Sequence, residues 1–290
     1  MRKPIGEGQP MRKISACTAL LLLCAALPTS AQVADTIRVN GSGSAVSMLK
    51  PMAEAYQRSH RHVEIAIGRP LGSSGAIKAL LAGALDLAVS SKPLTAEEAA
   101  KGARLYAYGK TPLAIVVGRE VPATDLSSRQ LEDILAGRMT RWASGSPLRL
   151  VLRPEGDIDT RILRDFSPAM DQAVSLAQAR PGMLLAVTDP EATALVARTQ
   201  GGVGVAGLPS VLGDGHPLKV LTFNGLGPTP ALLASGAYPL AKDIHLVITD
   251  KATPATRAFI DYLYSKPGRA LARKAGVWIT ASAAPPGMAP

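Results

Sequence analysis

Two cysteines are all that the 290 residues contain, and both, Cys17 and Cys24, fall in the first tenth of the chain. A disulfide framework for the remainder is therefore excluded, and its stability must come from core packing. Aromatic residues make up only 4% of the sequence, and the basic excess is spread without any run of like charges. That pattern offers neither a basic stripe nor a stacking platform for nucleic acid. The longest apolar run, within "ISACTALLLLCAALPTSAQ", has a core of about a dozen residues, short of the roughly 20 needed to span a bilayer. No G-x-S-x-G elbow, Walker lysine or dinucleotide fingerprint is present, and His60, His62, His216 and His245 are scattered. With no nucleophile–base pair and no clustered metal donors, the sequence reads as a protein that binds and does not catalyse, with no metal or cofactor expected.

The first 31 residues have the layout of a secretory signal peptide. Basic pairs Arg2/Lys3 and Arg12/Lys13 precede the apolar run, which closes on "TSA" before Gln32. Cleavage is expected after Ala31, with delivery to the periplasm. The repeated "MRK" at Met1 and Met11 leads to the expectation that translation starts at Met11. Removing residues 1–31 takes away four basic residues and one acidic residue, so the net charge falls from +10 to +7. Such an excess supports modest attraction for anionic solutes.

From Ile37 onward, short apolar runs alternate with helical periods. "IRVNGSG", "HVEIAIG" and "LDLAVSS" read as strands, with helices at "AVSMLKPMAEAYQRSH" and "SSGAIKALLAG" between them. This βαβαβ order predicts a parallel sheet covered by helices. In the first helix Val46, Leu49, Ala53 and Tyr56 form one stripe, with Lys50, Glu54, Gln57 and Arg58 facing out. Strands resume at "LRLVLR", "GGVGVAG", "LKVLTF" and "DIHLVITD". Helices are expected at "SSRQLEDILAG", "EATALVARTQ" and "ATRAFIDYLYSKPGRALARKAG". "TPLAIVVG" and "IHLVITD" stand where a chain would leave one lobe and return to it. The expected organisation is lobe 1 over 35–116 and 240–280, lobe 2 over 117–239, and a flexible Pro- and Ala-rich tail over 281–290.

Two glycine-rich turns carry the chemistry. "VNGSGSAV" leads from the first strand into the first helix, and "GSSGA" opens the second. Turns of this kind leave helix-terminal NH groups unpaired at the positive end of the macrodipole, where an oxyanion is stabilised. Ser44, Ser73 and Ser74 add hydroxyl donors, and Gly75 permits close backbone approach. The same residues are also ordinary caps and turn formers. Successive parallel strands bring both turns, and the Ser90-Ser91-Lys92 loop, to one sheet edge, where ligands of open α/β sheets bind.

These segments, together with "RLVLRPEGD", "TQGGVGVAGLPSV", "NGLGPTPALLASGAYPL" and "AFIDYLYSKPGRALARKAG" in this order, resemble the phosphate-binding-protein-like periplasmic solute receptors of ABC importers. The resemblance implies a two-lobed α/β fold of the type II periplasmic binding class, with two crossover strands and a ligand cleft between the lobes. It implies a monomer that takes a small solute, phosphate or another oxyanion, and hands it to an inner-membrane permease. A sensory or interaction protein that keeps the fold and addresses a membrane partner is the alternative.

Carried over residue by residue, the family's first-lobe contacts fall on Ala45, where threonine is usual, on Ser73, and on Ser91, where phosphate receptors often have an aspartate. Its second-lobe contacts fall on Arg153 and on the helix start "EGDIDTR", where the family reads Gly-Ser-Gly-Thr. Here Asp157 and Asp159 replace donors, with one extra residue before Thr160. A carboxylate about 4 Å from a bound anion costs roughly 4 kcal/mol at an effective dielectric near 20, or about three decades of affinity. Alternatively, Asp157 or Asp159 caps the helix and fills its NH groups directly. Either way, the expectation is an altered second-lobe oxyanion site.

Overall fold

A computed structural model describes residues 35–281. The segment expected to be a signal peptide, with its expected start and cleavage sites, and the tail from residue 282, lie outside the described residues. In chain order the first part comprises β1 (Asp35–Gly41), α1 (Gly43–Ser59), β2 (Val63–Ile67), α2 (Gly72–Leu81), β3 (Leu87–Ser90), α3 (Ala96–Ala100) and β4 (Arg104–Gly118). There follow β5 (Asp125–Leu126), α4 (Ser128–Leu135), β6 (Arg149–Leu152), α5 (Ile158–Arg164), α6 (Pro168–Ala179), β7 (Leu184–Leu185), α7 (Asp189–Arg198) and β8 (Gly202–Gly207). The chain ends with α8 (Leu208–Gly213), β9 (Leu218–Val220), β10 (Thr222–Phe223), α9 (Pro230–Ala234), β11 (Ala241–Ile248), α10 (Pro254–Tyr264), α11 (Lys266–Lys274) and β12 (Trp278–Ile279).

The expected βαβαβ unit is parallel, with β1 paired to β2 on one side and to β3 on the other. β11 then runs antiparallel between β3 and β4. The fifteen-residue β4 joins two sheets. Its first part, up to Pro112, pairs with β11, and from Leu113 it pairs with β8. Consecutive burial from Leu113 to Val117 explains the uninterrupted apolar run, because this stretch is covered on both faces.

Two large cores flank that change of sheet. One is built on Ile37, Met48, Leu49, Tyr108, Leu246 and Phe259, the other on Ile115, Leu131, Leu152, Met170, Val205 and Phe223. Val46, Leu49, Ala53 and Tyr56 are buried along α1, while Lys50, Glu54 and Arg58 are exposed. This is the two-lobed type II arrangement with its cleft between the sheets.

One expected helix is divided. "ATRAFIDYLYSKPGRALARKAG" breaks at Ser265, which closes α10 and caps α11. Pro267 cannot continue an interior hydrogen-bond ladder but fits a first turn, and the Ser265 hydroxyl accepts from the Gly268 NH at 3.3 Å. The helix α6 and the first half of β4 were not anticipated. α6 begins at Pro168 behind the cap Ser167, whose hydroxyl accepts from the Met170 NH.

Candidate functional site: a cleft at four helix N-termini

α1, α2, α5 and α7 all begin at one cleft of about 240 Å³ between the lobes. On the first-lobe wall, neither Ser42 before α1 nor Leu71 before α2 caps its helix with a side-chain hydrogen bond. The Ser42 hydroxyl instead meets that of Ser91 at 2.9 Å, and the Ser73 hydroxyl accepts from the Ser91 NH at 2.9 Å. The serines thus brace the loops together and leave the positive end of α2 facing the cleft.

The opposite wall is organised differently. Asp157 is the N-cap of α5, and its Oδ1 accepts from the Asp159 NH at 2.9 Å. Its other oxygen accepts from Arg153 Nη2 at 3.0 Å. The carboxylate thereby fills a helix NH and a guanidinium that an external oxyanion would otherwise engage. The Thr160 hydroxyl turns back to the carbonyls of Arg153 and Pro154.

Behind this wall lies a buried charge cluster. Lys242 Nζ donates to Asp189 Oδ1 and Oδ2 at 2.9 and 3.1 Å, and lies 2.6 Å from Asp159 Oδ1. Arg153 reaches Asp159 at 3.4 Å and Asp189 at 3.7 Å. Asp189 Oδ1 also accepts from the Gly207 NH at 2.8 Å. Arg153, Asp159, Asp189 and Lys242 are each 3% exposed or less, so none could remain charged there without the others.

The two buried aspartates separate in their titration. Burial pushes Asp159 up to about 7, a rise that Lys242 opposes and Asp189 reinforces. Burial pushes Asp189 up as well, but Lys242, Arg153 and the Gly207 NH outweigh it and hold Asp189 down at about 2. Burial works against the charge of Lys242 too, yet Asp159 and Asp189 raise its pKa above the usual lysine value.

Asp189 also touches the first lobe. A Cβ placed on Gly43, the first residue of α1, would lie 2.7 Å from Asp189 Oδ2 and 2.7 Å from its backbone N. One placed on Gly207 would lie 2.5 Å from Ser44 Cβ. Glycine suits both positions because the facing lobe leaves no room for a side chain, with the Asp189 backbone in the way at Gly43 and the Ser44 side chain at Gly207. A second seam runs from Ser47 on α1 to Ser210 and Asp214, with hydrogen bonds of 2.9 and 3.1 Å.

Residues 26–267 match the PBP superfamily domain. The chain belongs to the PBP superfamily. Over 105 residues it is 29% identical to phosphate-binding protein PstS 2 of Streptococcus agalactiae, covering 36% of each chain. The alignment thus spans about a third of that relative. The phosphate-binding protein PstS of Borreliella burgdorferi is 22% identical over 249 residues, covering 83% of this chain and 88% of the relative. A Clostridium perfringens substrate-binding protein crystallised with phosphate superposes with a TM-score of 0.70 at 20% identity, over 85% of this chain and 100% of the other. At that identity the likeness is one of fold.

Of the residues singled out by sequence, this superfamily cleft is lined by Ser73, Ser74, Gly75, Arg153 and Asp157. Ser44, Ala45, Ser91, Asp159 and Thr160 are buried outside the cleft lining. The Ser44 hydroxyl has no partner. Lys242 and Asp189 were missed, although Lys242 carried a signal. It lies in phase with Ile244 and Leu246, on the buried side of β11, where a lone lysine requires a carboxylate. Asp189 reads in the sequence only as part of a capping box from Thr188 to Glu191, which the structure does form. Among the described residues no group of His, Cys, Asp and Glu could hold a metal ion, and no helix is long and apolar enough to cross a membrane.

Proposed function

We propose that this chain is an exported, monomeric solute receptor of the PBP superfamily that binds a small anionic solute in the cleft between its lobes. The proposed lobes are residues 35–116 with 240–280, and 117–239. The observation that carries the reading is the cleft itself, in which α2 opens without a side-chain cap opposite the buried Arg153. The free NH groups of α2, with the exposed Arg161 across the cleft, suit an anion held at lobe closure, while Arg153 is already engaged by Asp157.

The second-lobe half of the site is altered. Asp157 occupies the α5 terminus and Arg153, so inorganic phosphate meets a carboxylate where it needs donors. Delivery of the solute to an inner-membrane permease accords with the naming of the Clostridium perfringens structure as an ABC transporter substrate-binding protein. The test is a thermal-shift panel on the chain beginning at Gln32, with phosphate, sulfate, molybdate, organic anions and cationic solutes. A true ligand at 100 times its dissociation constant adds about 2.7 kcal/mol of stability. Stabilisation by an anion supports the reading, and stabilisation by cations alone, or by nothing in the panel, overturns it.

A further inference from the structure

The identity of the anion is constrained by charge and by surface. The cations buried behind the second-lobe wall, Arg153 from that lobe and Lys242 from β11 of the first, face Asp157, Asp159 and Asp189, so the carboxylates already match or exceed them. Lys92, on the first-lobe wall, is paired with Glu98 at 2.9 Å. That leaves Arg161, an exposed cation on the lining, and the uncapped start of α2 as the positive elements available to a solute. Together they match one negative charge. A dianion would enter a site whose remaining charge is negative.

The lining is also apolar where a tetrahedral inorganic ion has no use for it. Leu71, just before α2, and Val187, just before the cap of α7, are 52% and 59% exposed and line the same cleft, with Ile158 beside them. Large apolar side chains left open on both walls of a ligand cleft mark where an apolar portion of a solute is covered on binding. The 240 Å³ of space leaves room for such a portion beyond the charged group.

Resting on the receptor reading above, we infer that the solute is a singly charged organic acid. Its carboxylate sits at the α2 terminus with Arg161, and its short apolar body is covered by Leu71, Val187 and Ile158.

Isothermal titration of the chain beginning at Gln32, at fixed salt and pH 7, tests this with acetate, butyrate, hexanoate, hexanamide and inorganic phosphate. Affinity should rise about fourfold per added methylene along the acids, the value of burying one CH2 group. Hexanamide and phosphate should give no saturable binding at concentrations where hexanoate saturates. The double variant Leu71→Ser, Val187→Ser should flatten the chain-length series, and Arg161→Gln should weaken every acid at least tenfold. Circular dichroism shows whether each variant is folded, and all three positions are exposed enough to be replaced without emptying a core. Phosphate or another inorganic oxyanion binding more tightly than hexanoate would overturn the inference while leaving the receptor reading intact. A flat chain-length series, or no binding by any acid, would also overturn it, and silence from every anion would remove both.

Discussion

Lys242 Nζ lies 2.9 and 3.1 Å from the two carboxylate oxygens of Asp189, and neither side chain is more than 1% exposed. The lysine stands at the start of the strand returning to the first sheet, and the aspartate begins a helix that abuts the first residue of α1. Removing the lysine strands Asp159 and Asp189 beside Arg153 alone. Lys242→Met is expected to cost about 3–5 kcal/mol in urea unfolding, the usual loss on breaking a buried pair. Adding Asp159→Asn should restore part of it, because one fewer buried carboxylate then needs a partner. An additive or larger loss in the double variant would show that the cluster is not electrostatically coupled.

A second expectation concerns pH. Asp159 rises from 3.8 to about 7 on folding, so between those values the folded chain holds a proton that the unfolded chain has released. Its contribution to stability is complete below pH 4, falls as pH rises, and is gone above 7, a change of roughly 4 kcal/mol. Asp189 acts in the opposite sense, because its folded value of about 2 makes its contribution grow between pH 2 and 4. Urea unfolding of the native chain and Asp159→Asn across pH 4–8 isolates the first effect. The native chain should lose stability relative to the variant as pH rises from 4 to 7. Parallel curves would mean that Asp159 is ionised throughout.

The close approach of the lobes gives a third. A Cβ at Gly43 would collide with the Asp189 backbone N at 2.7 Å and with Pro190 Cδ at 2.8 Å. Backbone cannot move aside as a flexible side chain would, so Gly43→Ala should cost about 1–3 kcal/mol and weaken solute binding. Gly156, also on the cleft but with nothing within 4 Å of an added Cβ, is the control. Gly156→Ala should change unfolding stability by less than about 0.5 kcal/mol.

Much of the fold was legible because the two periods, 2 for strands and 3.6 for helices, are clean in β1, α1 and β11, where one face is buried and the other wet. β4 was harder: its first part, from Arg104 to Thr111, mixes polar residues into a strand paired on one side with β11. At the site, the glycine-serine turns announced the first-lobe wall through their backbone chemistry. The aspartates at 157 and 159 announced a change without saying of what kind. Capping of α5 by Asp157 is local and was one of the two alternatives the sequence offered, whereas burial of Asp159 against Lys242 depends on a pairing across 83 residues of chain, which local pattern does not encode.

The Asp157 carboxylate holds the α5 NH and the Arg153 guanidinium that an oxyanion in the cleft would need. Asp157→Ser tests it most directly, because serine keeps an N-cap for α5 while removing the charge beside Arg153. Phosphate titrated calorimetrically into the native chain at fixed salt should bind weakly or not at all. Asp157→Ser should bind it about tenfold more tightly or better, with three decades as the upper bound set by the charge removed. Micromolar phosphate binding by the native chain, unchanged or weakened in the variant, would contradict the claim and make the aspartate part of an ordinary phosphate site.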